Sequence, residues 1–234
     1  MDKVHRRDLK HDRFAEQVGH TVEYATDHRG QVMKWGGIGL AVIVAIFGIY
    51  LYFEHQASAR AQDLTAAMRI QEAQIGPADA SQFVQTFPTP AEKNAAVVKA
   101  LTSVMDKYSS KREGLIARFY LGVLYADQGK VQEAEKYWKP ITESGDADYA
   151  SQAKLSLAQL YETQGRVADA EKLLRSLIDH PTIMVSKEQA TIALAHALAR
   201  TKPEEARKLL EPLRTERSAV SRMALTAIGE LSQK

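Results

Sequence analysis

The chain has no cysteine among its 234 residues, which excludes disulfide bonds, thiolate metal ligands and cysteine nucleophiles. It also has little excess of either charge, since 31 lysines and arginines face 29 aspartates and glutamates for a formal net charge of +2. A dedicated nucleic-acid binder carries a basic stripe, and no run of like charge occurs here. These absences argue against disulfide bonds, thiolate chemistry and dedicated nucleic-acid binding.

The motifs of common catalytic sites are missing as well. The sequence contains no H-E-x-x-H, no G-x-S-x-G and no G-x-x-x-x-G-K-[ST] phosphate loop. We interpret His180, beside Pro181 at a predicted helix end, as a partner of the helix dipole. His196 lies on a predicted helix with no acidic partner nearby in sequence. We therefore predict a protein that is not an enzyme and has no cofactor, metal site or small-molecule substrate.

Charge is absent from residues 35–53, a run of 19 residues with the sequence WGGIGLAVIVAIFGIYLYF. A helix of that length extends about 28 Å, close to the thickness of a bilayer's hydrocarbon core. Trp35 lies at one end and Tyr50, Tyr52 and Phe53 lie at the other, as in interfacial aromatic belts. The run predicts one transmembrane helix, with a buried core helix as the alternative.

A cleaved signal peptide is a second alternative, because Ala57-Ser58-Ala59 has the small-x-small pattern of a cleavage site. The apolar run is longer than the usual 7–15 residues of such peptides, and bulky aromatic residues occupy its end. The 34 residues before it also contain several acids. These features favour an uncleaved anchor.

The distribution of basic residues predicts the orientation of this anchor. Residues 1–34 contain seven lysines and arginines, whereas the twenty residues after the span contain Arg60 and Arg69. The positive-inside rule therefore predicts that residues 1–34 form a cytoplasmic N-terminal segment. Within this segment, the spacing of apolar residues predicts an amphipathic helix over residues 8–26. Everything after Phe53 is predicted outside the cytoplasm, which in a bacterium is the periplasm.

Small residues follow one face of the predicted span. Gly37, Ala41 and Ala45 are four residues apart, and such rows let membrane helices pack closely. The alternative is that glycine and alanine are simply common in membrane helices. We predict this row as a helix-packing face.

Residues 54–89 are predicted as a helical stalk and linker. Five apolar residues at 4-3 spacing indicate that the membrane helix continues and packs along one seam, namely Ala57, Ala61, Leu64, Met68 and Ile75. Gly76-Pro77 is a stop signal for that helix. Thr89-Pro90-Ala91-Glu92 then combines an N-cap, a first-turn proline and a capping-box glutamate, which predicts a helix from residue 90 to about residue 108.

Residues 90–234 contain an internal repeat. Residues 124–138 (LYADQGKVQEAEKYW) and 160–174 (LYETQGRVADAEKLL) are identical at eight of fifteen positions, at an offset of 36. A fainter third copy follows at the same offset, with Ala206 matching Ala134 and Pro212 matching Pro140. Because such a period is typical of stacked helical hairpins, we predict an all-α solenoid.

Each unit has the residues of a helix–turn–helix. Leu121 and Tyr125 form an apolar face, Gly122 permits close approach of a neighbour, Gly129 breaks the helix and Ala134 lets the second helix touch the first. This L-G-x-x-Y…G…A pattern resembles the tetratricopeptide repeat (TPR). The third unit departs from it with alanine at 197 and threonine at 201, so we predict two good repeats, one decayed repeat and flanking helices that cap the stack.

The resemblance to TPR domains implies a concave groove lined by the first helix of each pair, which binds extended or helical peptides. The groove residues would be Phe119, Val123, Ala126, Asp127, Leu155, Gln159 and Glu162. This surface is apolar and acidic and lacks the cations that clamp a terminal carboxylate. Phe119 and Val123 have an alternative role as plain core beneath the neighbouring helix.

The whole layout, a short cytoplasmic segment, one span and a TPR-like domain outside, resembles the YfgM-like family of bacterial inner-membrane proteins. That resemblance implies an adaptor beside the Sec translocon whose partners are translocon subunits, periplasmic chaperones or unfolded clients. The alternative is a structural scaffold subunit of another secretion or outer-membrane assembly complex.

Overall fold

The structure of the protein is a computed structural model that describes residues 29–76, 85–214 and 219–232. The predicted helix over residues 8–26 lies outside the described residues. The chain divides into two compact units, of which the first ends at Ala59 and the second begins at Arg60. Helices form nearly all of the described chain, which confirms the predicted all-α class.

The described part of the first unit belongs to helix α1 (Arg29–Glu72), which continues past Ala59 into the second unit. The predicted span, residues 35–53, is helical throughout. Its large apolar side chains are exposed, from 72% for Trp35 to 48% for Leu51. Among the described residues, α1 is the one helix long and apolar enough to cross a membrane by length and composition.

In the second unit, α1 is followed by two short strands, β1 (Gln74–Ile75) and β2 (Thr86–Phe87), which pair in parallel. The described helices that follow are α2 (Pro90–Lys107), α3 (Arg112–Asp127), α4 (Val131–Trp138), α5 (Ala147–Thr163), α6 (Val167–Asp179), α7 (Lys187–Leu198), α8 (Pro203–Arg214) and α9 (Ala219–Ser232). A 3₁₀ turn (Lys139–Glu143) extends α4.

The helices from α3 onward pack as successive hairpins. Helix α3 packs on α4, α5 on α6 and α7 on α8, and α9 covers α8 and α7. The first helices of the hairpins, α3, α5 and α7, also contact one another in series. The second unit is therefore a TPR-like solenoid, closed by α9 close to the predicted position.

Glycines close the turns of the first two hairpins. Gly129 has φ 70° and Gly165 has φ 72°, a left-handed conformation that other residues rarely adopt. This conformation lets the next backbone N–H, of Lys130 or Arg166, reach back five residues to a carbonyl at 2.8 Å. The third hairpin has Thr201 at this position, without a positive φ, and its turn closes instead through Lys202 N–H and Leu198 C=O at 2.7 Å. The decayed motif thus makes a different turn.

Gly122 lets the two helices of the first hairpin approach closely, as predicted. A Cβ atom placed on Gly122 would lie 2.4 Å from Nε1 of Trp138, well inside van der Waals contact. The same Nε1–H donates a hydrogen bond to the backbone carbonyl of Phe119 at 3.0 Å. The large buried indole of α4 thus packs directly on the backbone of α3.

The part of α1 after Ala59 packs on α2 and α3. Ala67 is 2% exposed and belongs to a core with Val97, Leu101 and Ala117. Leu64 and Met68 of the predicted seam are packed against this core, whereas Ala61 and Ile75 are exposed. The helix also ends at Glu72, four residues before the predicted stop at Gly76.

A polar contact holds the same segment to the end of α2. The Asp63 carboxylate accepts hydrogen bonds from Lys107 Nζ and from the Tyr108 hydroxyl, both at 2.7 Å. The bond from Lys107, and then that from Tyr108, lowers the pKa of Asp63. Arg60 lies 3.4 Å from the Glu113 carboxylate on α3.

The predicted start of α2 is confirmed. Thr89 is the N-cap in an extended conformation, and its hydroxyl oxygen accepts a hydrogen bond from the Glu92 backbone N–H at 3.2 Å. Pro90 occupies the first turn, where a missing N–H costs nothing. The helix ends at Lys107, with Tyr108 as its C-cap, as the sequence predicts.

Ion pairs between hairpins recur with the repeat. Arg166 lies 3.1 Å from Glu135 of the preceding hairpin, and Lys202, 36 positions later, lies 2.9 Å from Glu171. The Tyr161 hydroxyl donates a hydrogen bond to the Glu135 carboxylate at 2.8 Å. Burial, followed by this hydrogen bond, raises the pKa of Tyr161 to about 12. Acidic side chains on the helix surfaces therefore link successive repeats.

Candidate functional site

A cleft of about 500 Å³ opens between the first hairpin and the first helix of the second. We call it the repeat cleft. Helix α3 contributes three lining residues, the turn and α4 contribute three, and α5 contributes four: Val123, Ala126, Asp127, Gly129, Val131, Trp138, Ser156, Gln159, Leu160 and Thr163. It forms where the C-terminal turns of α3 and α5 meet the start of α4.

Four of the seven predicted groove residues come together in the repeat cleft, namely Val123, Ala126, Asp127 and Gln159. Asp127 and Gln159 are exposed, whereas Val123 and Ala126 are half-buried on the core. Leu155 is 6% exposed and belongs to the core. The cleft thus has an apolar floor and a polar, accessible edge.

Phe119 lies outside the repeat cleft, in a cluster of aromatic rings. Its ring centroid is 6.1 Å from that of Trp138 and 5.7 Å from that of Tyr149. It is half-buried and packs against the core, as in the alternative stated for it above. Val123 packs on the core, as in the alternative stated for it, and also lines the repeat cleft; its role in binding a partner remains a prediction.

Glu162 pairs with a residue that sequence reasoning leaves without a partner. Its Oε1 lies 2.7 Å from Nδ1 of His196, on the first helix of the next hairpin. His196 has no acidic neighbour close in sequence, but Glu162 is close to it in the fold because α5 and α7 are adjacent. Glu162 is therefore engaged in an inter-repeat contact and does not line the repeat cleft.

Six lining residues were not predicted, namely Gly129, Val131, Trp138, Ser156, Leu160 and Thr163. The predicted groove contains only positions that face the concave surface in TPR domains. The cleft instead opens between hairpins, where the side of α5 faces α3 and α4. The α5 residues at 156, 159, 160 and 163 have the 3-4 spacing of one helix face, which is the signal that would have found them.

The small residues predicted to form a helix-packing face all lie on helix α1 of the first unit. Gly37, Ala41 and Ala45 are all exposed on α1, and a Cβ placed on Gly37 would meet no atom within 4 Å. Their role in helix packing remains a prediction.

Comparisons with known proteins agree with this description. The tetratricopeptide repeat family profile matches residues 121–181, the first two hairpins apart from the start of α3. The chain is also similar to the crystal structure of nearly identical TPR-like repeats from a kinesin light chain of Podosopora anserina, with 18% sequence identity and a TM-score of 0.54. That match covers 75% of this chain and 86% of the other. Among curated proteins, none matches the chain.

Repeats of this type form protein-interaction modules in other proteins. TPR-type solenoids present extended surfaces that bind other polypeptides, and their families are generally non-catalytic scaffolds. The structural similarity supports the fold, and the family match supports the repeat.

Proposed function

We propose that the chain is a membrane-anchored adaptor whose solenoid binds segments of other proteins. The repeat cleft carries this proposal. Its floor is formed by apolar side chains such as Val131 and Leu160, while Asp127 and Gln159 offer hydrogen-bonding groups at the edge. An apolar pocket with a few polar groups at its rim is the arrangement that binds a side chain and orients the backbone attached to it.

The anchor is the apolar part of α1. Its uncharged run and exposed side chains suit lipid, and the basic residues before it favour a cytoplasmic N-terminus. On this proposal the solenoid lies in the periplasm of a bacterial cell. A reporter enzyme that is active only outside the cytoplasm, fused after Lys234, is expected to be active. Activity of a cytoplasm-dependent reporter at the same position would contradict the orientation.

The resemblance to the YfgM-like family supports a more specific setting. We place the adaptor beside the Sec translocon, where its partners are translocon subunits, periplasmic chaperones or emerging polypeptides. This setting is supported by the layout of the sequence and by the repeat.

Site-specific photocross-linking in native membranes tests the proposal. A benzophenone amino acid at Gln159, exposed at the cleft edge, is expected to capture polypeptides that mass spectrometry identifies. The control places it at Lys172, an exposed residue of α6 outside the cleft. Translocon subunits, chaperones or clients captured only from Gln159 support the adaptor. Equal capture from both positions removes the cleft from the function.

One further outcome separates the two functions considered for this sequence. Capture of a single folded subunit of another envelope complex from Gln159 would favour the structural scaffold. The repeat cleft would then remain a binding site, and the translocon setting would be rejected.

A further inference from the structure

The repeat cleft has one charged lining residue among those described, and it is an acid. Asp127 is exposed and has no basic partner within the described parts of the chain. The next cation along the chain, Lys130, holds its ammonium group 5.6 Å over the ring of Tyr125. Lys130 does not line the cleft, so it leaves the Asp127 carboxylate uncompensated there.

Two helix C-termini add negative partial charge at the cleft, where the N-terminus of α4, which begins at Val131, is the one positive helix end among the described residues. Asp127 is the last residue of α3 and Thr163 is the last residue of α5, and both line the cleft. Helix C-termini carry partial negative charge, which is normally offset by lysine or arginine in the last turn. Neither α3 nor α5 has a basic residue in its last turn. An aspartate at a helix C-terminus is locally unfavourable, because its charge repels the partial negative charge of the helix end. Residues that are unfavourable for local structure are found at functional sites.

The floor beside this edge is suited to an aliphatic side chain. Val123, Val131 and Leu160 supply apolar surface, and Trp138 closes the cleft from α4. Burial of an aliphatic side chain there releases water from both surfaces. The neutral side chains of Ser156 and Gln159 add no cation that would attract a carboxylate.

We propose that the repeat cleft selects protein segments in which an aliphatic side chain is adjacent to a lysine or arginine. The aliphatic group fills the floor, and the cation lies at the Asp127 carboxylate and the C-terminal ends of α3 and α5. This inference rests on the proposed function, because it names the chemical class of segment that the cleft binds. Segments with an aliphatic residue next to an acid are disfavoured by repulsion at the same edge.

The fluorescence of Trp138 provides a direct reading of cleft occupancy. The chain has two tryptophans, so Trp35→Phe leaves Trp138 as the sole one. The full chain with this change, in lipid nanodiscs, is titrated with twelve-residue peptides that differ only in a central pair. The pairs are leucine–lysine, leucine–glutamate, leucine–glutamine and serine–lysine. The leucine–lysine peptide is expected to bind about tenfold more tightly than leucine–glutamate.

Variants at Asp127 assign the charge preference to this residue. Asp127→Asn is expected to reduce leucine–lysine binding to the level of leucine–glutamine, and Asp127→Lys is expected to favour leucine–glutamate. Asp179→Asn is the matched control, since Asp179 is the exposed last residue of α6 and lies outside the cleft. It is expected to change nothing.

The outcomes separate this inference from the proposed function. Equal binding of the leucine–lysine and leucine–glutamate peptides would overturn the inference and leave the cleft as a polypeptide site. Binding of serine–lysine as tight as leucine–lysine would overturn the role of the apolar floor. If no peptide changes Trp138 fluorescence, the inference is wrong, and cross-linking at Gln159 decides the proposed function independently.

Discussion

At the scale of single residues, the first hairpin depends on the pairing of a glycine with a tryptophan. Gly122 leaves room for the Trp138 indole, and 36 positions later Ala158 and Leu174 occupy the same two positions. Both of these residues are buried, at 1% and 2% exposure. A larger residue on the first helix thus accompanies a smaller one on the second, as close packing requires.

Gly122→Ala is expected to destabilise the second unit by about 1 to 3 kcal/mol, because the added methyl group overlaps the indole. Urea unfolding measures the change. Gly145→Ala is the control, since a Cβ there would meet nothing within 4 Å, and its effect is expected to stay within about 0.5 kcal/mol.

Introducing the pair found in the second hairpin tests the cause. Trp138→Leu combined with Gly122→Ala is expected to be more stable than the sum of the single changes by about 1 kcal/mol or more. Additive effects would mean that the indole and the glycine are not coupled, which would contradict the packing described.

At the scale of the elements, α1 has two surroundings along its length. The side chains of residues 35–53 are exposed, whereas after Arg60 the helix contributes Ala67 to a core with α2 and α3. The predicted seam at 4-3 spacing placed Ala61 on the packed face, but Ala61 is exposed and Ala67 is buried. Which residues of α1 are buried therefore depends on where α2 and α3 contact the helix.

Ala67→Glu is expected to separate this segment from α2, because a buried carboxylate without a partner is costly. Hydrogen exchange is expected to show at least about a tenfold loss of protection in residues 60–72 and in α2. Ala61→Glu, the same change at an exposed position six residues earlier, is expected to leave exchange unchanged. If Ala61→Glu reduced protection and Ala67→Glu did not, the result would support the predicted seam through Ala61.

At the scale of the whole molecule, the solenoid is held together by contacts between neighbours. Each hairpin contacts the next, and α9 covers α7 and α8 with Ala224 fully buried. Recurring ion pairs such as Arg166–Glu135 add to these contacts, although exposed pairs contribute little individually. In such a structure, a loss at one end weakens with distance along the stack.

A chain that ends at Arg214 is expected to lose at least about 2 kcal/mol of stability in the last hairpin, because apolar residues such as Leu210 and Leu213 lose their cover. Hydrogen exchange is expected to increase most in α7 and α8 and least in α3. A chain that ends at Ser232 serves as the control. A uniform increase across all helices would mean that the unit unfolds as one body.

Much of the fold was predictable from the sequence because it depends on local interactions. The N-cap at Thr89 and the glycine turns at Gly129 and Gly165 involve residues a few positions apart. Four of the predicted groove residues also meet in one cleft, at the C-terminal halves of α3 and α5. Phe119 and Leu155 lie outside the cleft, because neighbouring aromatic rings cover Phe119 and neighbouring helices cover Leu155.

Residue spacing within single chain segments is enough to predict the period of 36, the start of α2, the turns of the first two hairpins and the apolar run of α1. Helix packing, by contrast, brings Glu162 to His196, buries Ala67 and places Asp127 and Thr163 at one cleft. These pairs depend on how helices rotate against one another. That rotation is set by the summed packing of many side chains, which no short spacing encodes.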